Sequence, residues 1–463
     1  MVIFIIGMPG SGKTVVGKKL SKALNLPFID TDEEFKKLIQ VNPSEFRNLF
    51  DENEDWFRKL EERIIYTISK EKSVVVATGG GSVLSEKNRK IFHENYTFFL
   101  DCDRDIIKER LKDRTILPDR GFKEVSQLWK ERKQYYKEFE NLILDADKYP
   151  ILIGEGLLSL INNVKNMTHF VSDFFKNKNL KLNGEKTYVK SGEGLKTLDN
   201  LKKYYKKLID LERDRYSPIC SVGGGSMGDF FGMLSGTFMR GIPFYMVPTT
   251  FLSMVDSSVG GKVGVNFEKI KNAVGMTNDP QLVIIDTDFL KTLSSREFNS
   301  GMFEVLKCGF LRDKKLLNNG LSTSELILRS LKVKLHFVEI DYKDFGDRRF
   351  LNFGHTIGHA IELLTNIKHG EAVGYGMLCE IHLSYLNGLL DKEKFEQCIS
   401  KIDLNILPKI NVNSDEVIEM MSHDKKKIGN SINFTLLKDM SQPVIYNGID
   451  EFQIKKVIEE YVN

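Results

Sequence analysis

The chain has 463 residues, 41% of them hydrophobic and 28% charged, proportions of a globular protein that exclude a disordered, collagenous or disulfide-stapled chain. Lysine plus arginine outnumber aspartate plus glutamate by 67 to 64, a small and evenly spread excess that excludes nucleic acid or an anionic membrane as the main partner. At roughly 150 residues per domain, this length makes about three folding units, or two of unequal size.

Residues 1–147 alternate short apolar runs with charged helical stretches. Val2–Ile6, Val74–Ala77, Thr97–Leu100 and Leu142–Leu144 are the strand candidates, and the alternation predicts a three-layer α/β domain with a mostly parallel sheet. Gly7-Met8-Pro9-Gly10-Ser11-Gly12-Lys13-Thr14 follows the first strand and fits the phosphate-loop pattern G-x-x-x-x-G-K-[ST]. Gly7, Gly10, Ser11 and Gly12 let backbone N–H groups converge on ATP phosphates, Lys13 reaches the β/γ-phosphates, and Thr14 offers a ligand to Mg²⁺. Asp30 and Asp32 sit at i, i+2 at a strand end, the edge where open α/β sheets bind ligands. Taken alone, such a pair is more often a solvated helix cap than a catalytic dyad.

A second α/β unit, 148–293, carries strands at Pro150–Ile153, His169–Ser172, Ile219–Val222, Phe244–Val247 and Leu282–Ile285, with no flexible linker before it. Gly223-Gly224-Gly225-Ser226-Met227-Gly228-Asp229 follows a strand and opens a helix, a seat for a pyrophosphate that is weak evidence by itself. In 294–463 strand signals nearly vanish, and 324–339, 349–364 and 370–388 predict a mainly α-helical region. Three of the chain's eight histidines, His355, His359 and His369, gather there. On spacing alone, the i, i+4 pair His355 and His359 is the metal-binding choice. Cys102, Cys220, Cys308, Cys379 and Cys398 contain no C-x-x-C pair, so a cytoplasmic protein without a disulfide framework is expected. The apolar runs fall far short of the roughly 20 residues that span a bilayer.

The N-terminal motifs, together with Phe57-Arg58-x-x-Glu61, Ala77-Thr78-Gly79-Gly80-Gly81 and Glu131-Arg132-x-x-Tyr135, resemble shikimate kinase across residues 1–147. The resemblance implies ATP-dependent phosphorylation of the shikimate 3-hydroxyl. Asp30 would hold Mg²⁺ through water, and Asp32 would bind the acceptor hydroxyl and help take its proton. Arg58 and Arg132 would grip the carboxylate with guanidinium forks. Gly79, Gly80 and Gly81 would approach the ring closely, and Arg114 would be the lid arginine over the phosphates. Where the family continues into a terminal helix, Leu142–Asp147 runs straight into the second unit. The last strand then needs cover from elsewhere; the nearest candidate is Glu155–Val164, where Leu157, Leu158, Leu160 and Ile161 could form an apolar helical face.

From Tyr149-Pro150-Ile151-Leu152-Ile153-Gly154 to Asp424-Lys425-Lys426 the motifs resemble 3-dehydroquinate synthase. They include Met239-Arg240-Gly241, Val247-Pro248-Thr249-Thr250, Val255-Asp256-Ser257-Ser258-Val259-Gly260-Gly261-Lys262, Phe303-Glu304-Val305-Leu306-Lys307 and His369-Gly370-Glu371-Ala372-Val373. The implied reaction is NAD- and metal-dependent cyclisation of 3-deoxy-D-arabino-heptulosonate 7-phosphate to 3-dehydroquinate with phosphate release. NAD⁺ contacts are implied for Asp173, Glu193, Lys196, Gly225, Ser226, Met227, Gly228, Asp229, Thr249, Thr250, Asp256, Ser257, Lys262, Lys271, Phe289, Leu290, Lys291 and Thr292. The phosphorylated substrate would meet Arg240, Asp256, Lys262, Asn272, Lys307, Lys334, Arg348, Asn352, His359 and Lys425. The resemblance assigns Zn²⁺ or Co²⁺ to Glu304, His355 and His369, which moves His359 into the substrate pocket.

The chain therefore reads as a bifunctional fusion of two shikimate-pathway enzymes acting on small molecules, with a homodimer through the synthase region kept as an expectation. Two alternatives stay open: a different sugar-phosphate cyclase or polyol dehydrogenase in the second half, or one half serving as a non-catalytic regulator. Lys262, Lys307 and Lys334 argue against the polyol dehydrogenase.

Overall fold

The computed structural model describes residues 1–39, 54–112, 123–268, 270–344, 346–422 and 432–462. Arg114 and Lys425 lie outside the described residues. The N-terminal unit runs β1 (Val2–Ile6), α1 (Lys13–Leu24), β2 (Phe28–Asp30), α2 (Thr31–Ile39), α3 (Glu54–Ile68), β3 (Val74–Ala77), α4 (Glu86–His93), β4 (Tyr96–Leu100), α5 (Arg104–Lys112), α6 (Lys123–Tyr136) and β5 (Leu142–Asp145). The chain turns back at once into β6 (Pro150–Gly154), β7 (Thr168–Ser172), β8 (Glu185–Val189), α7 (Leu198–Asp210), β9 (Ile219–Gly223), α8 (Gly225–Thr237), β10 (Phe244–Pro248), β11 (Lys262–Phe267), β12 (Ile270–Thr277) and β13 (Leu282–Asp286). The last third holds α9 (Ser295–Leu311), α10 (Thr323–Ile340), α11 (His355–Thr365), α12 (His369–Leu386), α13 (Lys392–Ile399), α14 (Ser414–Ser422), β14 (Asn433–Asp439), β15 (Gln442–Asn447) and α15 (Glu451–Val462).

Every apolar run read as a strand is a strand. β8, the β11–β12 hairpin and the β14–β15 hairpin are additions, and the last of these corrects the expectation that strands nearly vanish after residue 294. β8 and β12 are largely solvent-facing, so neither carries the continuous apolar run that marks a fully buried strand.

Eleven strands form one sheet in the order β2-β3-β1-β4-β5-β6-β13-β10-β9-β7-β8. Neighbours within each half are parallel. The halves meet where β5 pairs antiparallel with β6, Leu142 opposite Ile153, Ile143 opposite Leu152, Leu144 opposite Ile151 and Asp145 opposite Pro150. Parallel strands gather ligands at their carboxyl ends. The reversal at β5–β6 therefore sends the ligand-binding edges of the two halves to opposite ends of one sheet.

β5 has no helix of its own, and its cover comes from an unexpected place. Glu155–Val164 forms only a short 3₁₀ turn, Leu158–Asn163, which buries Leu157, Leu160 and Ile161 near α1. Six residues of 3₁₀ structure are too few for a covering helical face. Instead α10, far downstream, lies against β5 and β6. Lys332 on α10 pairs with Asp101 after β4 at 2.8 Å, and on α1 the Ala23 carbonyl accepts a hydrogen bond from the Tyr245 hydroxyl of β10 at 2.8 Å. Among the described residues no helix is long and apolar enough to cross a membrane, and all five cysteines are free thiols.

Because Ile143 is fully buried at the seam, Ile143→Ala should cost about 2–5 kcal/mol and lower one shared unfolding transition in calorimetry. Two separate transitions, only one of them shifted, would show that the halves fold independently.

Candidate active sites

At the first edge, the turn after β1 needs glycine at two left-handed positions, Gly10 (φ 77°) and Gly12 (φ 101°), before α1 begins at Lys13. The Lys13 ammonium folds over the loop and donates to the carbonyls of Gly7 and Met8, both at 2.9 Å. The Thr14 hydroxyl donates to Asp30 at 2.7 Å, and the other Asp30 oxygen accepts from the Asp32 backbone N–H at 3.0 Å. Thr14 and Asp30 thus form one oxygen-rich corner beside the loop. The Asp32 side chain is solvent-accessible in a cleft walled by protein. Loss of surrounding water, then the Asp30 charge, raises its pKa against the pull of Lys13 and Lys36.

The strand end at Gly79–Gly81 is where the remaining groups meet. A Cβ on Gly79 would lie 2.7 Å from Glu61 and 2.9 Å from Asp32, and one on Gly81 would lie 2.4 Å from the Arg58 guanidinium. Arg58 pairs with Glu61 at 3.0 Å. The Gly80 carbonyl accepts from Arg132 at 2.8 Å and from the Tyr136 hydroxyl at 2.7 Å. Asp32, Arg58, Arg132 and the three glycines therefore border one pocket. Three further residues belong here. Glu61 orients Arg58; Tyr136, next to the motif's Tyr135, reaches Gly80, while Tyr135 stacks on Arg89. Arg110, on α5, donates to the Ser11 carbonyl at 3.2 Å.

At the opposite edge, β9 ends in the glycine turn that opens α8. Ser257 faces this turn: its buried hydroxyl has no hydrogen-bond partner and lies 2.8 Å from a Cβ built on Gly225. Thr250 crowds Gly224 in the same way, Thr249 donates its backbone N–H to Gly223 at 3.0 Å, and Ser226 accepts from the Gly192 N–H at 3.1 Å. Lys196 pairs with Asp229 at 2.7 Å and touches Asn272, while Glu193 accepts from Asn266 at 3.1 Å. A cradle too narrow for a side chain, with an unpaired donor aimed into it, fits a dinucleotide pyrophosphate. Gly228 is buried in the first turn of α8, and Asp173 is exposed just after β7.

The Met227 side chain is buried and packs against the turn, lying 2.6 Å from a Cβ built on Gly223. Phe289, Leu290, Lys291 and Thr292 follow β13 at the same carboxyl edge of the sheet as the glycine turn. Leu290 and Lys291 line the cleft between the two halves, where Lys291 pairs with Asp288 at 2.5 Å. Phe289 packs against Phe175, and Thr292 donates to the Phe289 carbonyl. Arg240 is exposed beyond the far end of α8, about 18 Å along the helix from the glycine turn at 1.5 Å per residue.

Between the dinucleotide cradle and the helical region sits a dense charge cluster. Lys334 pairs with Asp256 at 2.9 Å and also donates to its backbone carbonyl at 2.8 Å. Burial alone would raise Asp256, but Lys334 and then Lys307 hold it below the usual carboxylate range. Lys307 contacts Glu304 directly. Arg348 donates to the carbonyls of Gly260 and Tyr342, both at 3.0 Å, and Lys262 pairs with Asp344. Asn352 is half-buried and lies three residues before His355, the first residue of α11.

Three helices deliver the metal candidates: Glu304 on α9, His355 on α11 and His369 on α12. They meet because glycines let the helices touch. A Cβ on Gly376 would lie 1.9 Å from the Gly354 carbonyl, and one on Gly370 would lie 1.8 Å from that of Ser300. His355 holds its Nδ1 on the Phe353 carbonyl at 3.1 Å, and His369 holds its Nδ1 on Glu362 at 3.0 Å. Both Nε2 atoms then face Glu304 Oε1, each at 3.5 Å, and that buried oxygen has no hydrogen bond. Ligand atoms about 2.0–2.1 Å from a tetrahedral Zn²⁺ lie about 3.3–3.4 Å apart, so this spacing fits a divalent metal. The ring nitrogens of His355, His359 and His369 also lie within 4.8 Å of one another.

Burial alone would lower His369, but Glu304 and Glu362 outweigh it and raise it to about 9. Burial alone would raise Glu304, yet Lys307 and His369 bring it to about 2. Glu362 was absent from the sequence reading, although it shares the α11 face of His355 and His359 at i, i+4, i+7. Lys271, on β12, pairs with Glu362 at 2.8 Å and so ties the β11–β12 hairpin to this corner.

Family models for shikimate kinase, 3-dehydroquinate synthase N-terminal and 3-dehydroquinate synthase C-terminal match residues 9–162, 186–300 and 301–427 respectively. A bifunctional shikimate kinase/3-dehydroquinate synthase of Thermotoga maritima is 30% identical over 497 residues, covering 99% of this chain and 100% of that protein. A 3-dehydroquinate synthase of Clostridium tetani is 34% identical over 388 residues, covering 79% of this chain and 99% of its own length. Among solved structures, a 2-deoxy-scyllo-inosose synthase complexed with carbaglucose-6-phosphate, NAD⁺ and Co²⁺ has the same fold, with a TM-score of 0.61 at 24% identity over 69% of this chain and 99% of that one. Fold and sites define a phosphate-loop kinase fused to an α/β synthase with a helical second domain. The chain belongs to the family of bifunctional shikimate kinase/3-dehydroquinate synthases.

Burial raises Glu61 from its ordinary 4.5 to about 7, against the pull of Arg58. The folded state then holds a proton that the unfolded state releases, so stability should fall as pH rises from about 4.5 to about 7. Glu61→Gln should flatten that slope. Melting temperatures of both proteins across the range check this, and a pH-independent difference between them would contradict it.

Proposed function

We propose that both sites are catalytic and that the residues named above carry the two reactions of the family. In the kinase half the phosphate loop and Lys13 hold the ATP phosphates, Thr14 and Asp30 hold Mg²⁺, and Arg58 and Arg132 bind the shikimate carboxylate. Asp32 accepts the proton of the attacking 3-hydroxyl as its oxygen bonds to the γ-phosphorus and ADP departs. A raised pKa keeps Asp32 a stronger base than an ordinary aspartate.

In the synthase half Glu304, His355 and His369 would hold Zn²⁺ or Co²⁺, and the glycine turn with Ser257, Thr250 and the Lys196–Asp229 pair would hold NAD⁺. When bound, these two groups supply a Lewis acid and a hydride acceptor that is regenerated in each turnover. Lys307, Lys334 and Arg348 gather positive charge for a substrate bearing both a phosphate and a carboxylate, and Asp256 fixes the two lysines. His359 stands beside the metal corner as a substrate contact. The observation that carries this half is Glu304 Oε1, buried without a hydrogen bond and facing two oriented imidazoles. We also infer a homodimer through the synthase region, from the family resemblance, and a cytoplasmic setting, from the five free thiols.

Lys13→Met should lower shikimate phosphorylation by at least about 100-fold and leave phosphate release by the synthase intact; Glu304→Gln should do the reverse. Separate assays on each purified variant decide this, and loss of both activities in either folded variant would refute independence of the sites. His369→Ala should strip bound metal, whereas His359→Ala should retain metal and lose turnover. Elemental analysis of the two variants separates this assignment from the i, i+4 pairing of His355 with His359.

A further inference from the structure

The halves enclose a cleft of about 1710 Å³ whose walls come from both. One wall carries Ser11 of the phosphate loop, Cys102 and Arg110; the other is α10 of the synthase half, with Leu328, Lys332 and His336. Leu142 and Leu144 of β5 form an apolar floor between them. Arg110 reaches the loop carbonyls of Gly10 and Ser11 at 3.4 and 3.2 Å. The ion pair between Lys332 and Asp101 fastens α10 to the end of β4, where the carbonyl of the preceding Leu100 lies only 2.9 Å from a Cβ built on Gly7. The synthase helix is therefore anchored to the strand end that backs the first glycine of the phosphate loop.

We propose that α10 forms one wall of the kinase nucleotide site, with the adenosine part of ATP lying in this cleft against Leu328, Lys332 and His336. This rests on the kinase assignment above. A triphosphate seated on the loop must send its ribose and base into neighbouring space, and the space beside Ser11 and Arg110 is the cleft. An apolar floor beneath polar rims suits a planar base joined to a sugar. The kinase half has no helix after β5 to close this side, and α10 occupies that place. Lys332 would act through both its stem, packed along the cleft, and its grip on Asp101.

Full-length variants test the wall without removing it. His336→Trp and Leu328→Trp should narrow the cleft along α10 and raise the KM for ATP by about ten-fold or more. Inhibition by inorganic tripolyphosphate, which lacks adenosine, and the KM for shikimate should stay unchanged. Lys332→Ala should raise the KM for ATP more modestly, with recovery in Lys332→Arg; this milder series serves if either tryptophan variant fails to fold. An unchanged ATP KM in all folded variants would overturn the proposal, as would parallel weakening of tripolyphosphate, which would place the effect at the loop. Shikimate phosphorylation persisting in Lys13→Met would instead overturn the kinase assignment.

Discussion

Four antiparallel residue pairs between β5 and β6 determine most of what is particular to this chain. Each half on its own would present a buried-type apolar strand as an open edge, and unpaired apolar edges are templates for aggregation. Joined, the two strands satisfy each other's backbone groups and give both halves a shared core. Because the pairing is antiparallel, the phosphate loop and the dinucleotide turn face away from each other. The seam thus couples the halves mechanically while separating their chemistry, which suits two reactions whose substrates and products do not connect.

The synthase corner shows a different constraint, that of close helix approach. Buried charges are costly unless paired, and Glu304, Lys307, Asp256 and Lys334 form a chain in which every charge has an opposite neighbour. The metal corner beside it depends on Gly354, Gly370 and Gly376, which bring α12 into backbone contact with α9 and with the start of α11. Helices set apart by ordinary side chains would hold His355 and His369 too far from Glu304 for one ion to bridge them. The second carboxylate, Glu362, fixes which nitrogen of His369 faces the site, as outer hydrogen bonds do for metal-binding imidazoles.

Much of this was legible in the sequence. The phosphate loop, the buried strands and the long helices each carry a periodic or glycine-rich signal that depends on local chemistry alone. The carboxylate and arginine set of the first site, and the Glu304, His355 and His369 set of the second, came from resemblance to families, because residues brought together across helices leave no local trace. What escaped was tertiary. Glu155–Val164 is the apolar stretch nearest β5 in sequence, whereas the fold recruits α10 from beyond the second unit. Tyr135 and Tyr136 look equivalent on paper, and only the direction of α6 tells which one reaches Gly80. Hairpins such as β11–β12 bury one edge or none, so their polar residues hide them.

The reliance of β5 on α10 also bears on how the molecule is made. A ribosome completes β5 at Asp145 and finishes α10 at Ile340. At about 5–20 residues per second, the interval is roughly 10–40 s. Throughout it the kinase half has its phosphate loop and most of its sheet, while Leu142 and Leu144 await a helix not yet synthesised. The N-terminal enzyme of this fusion is therefore the first to be translated but cannot be finished until most of the second has emerged, and its nascent apolar face is a natural station for a chaperone.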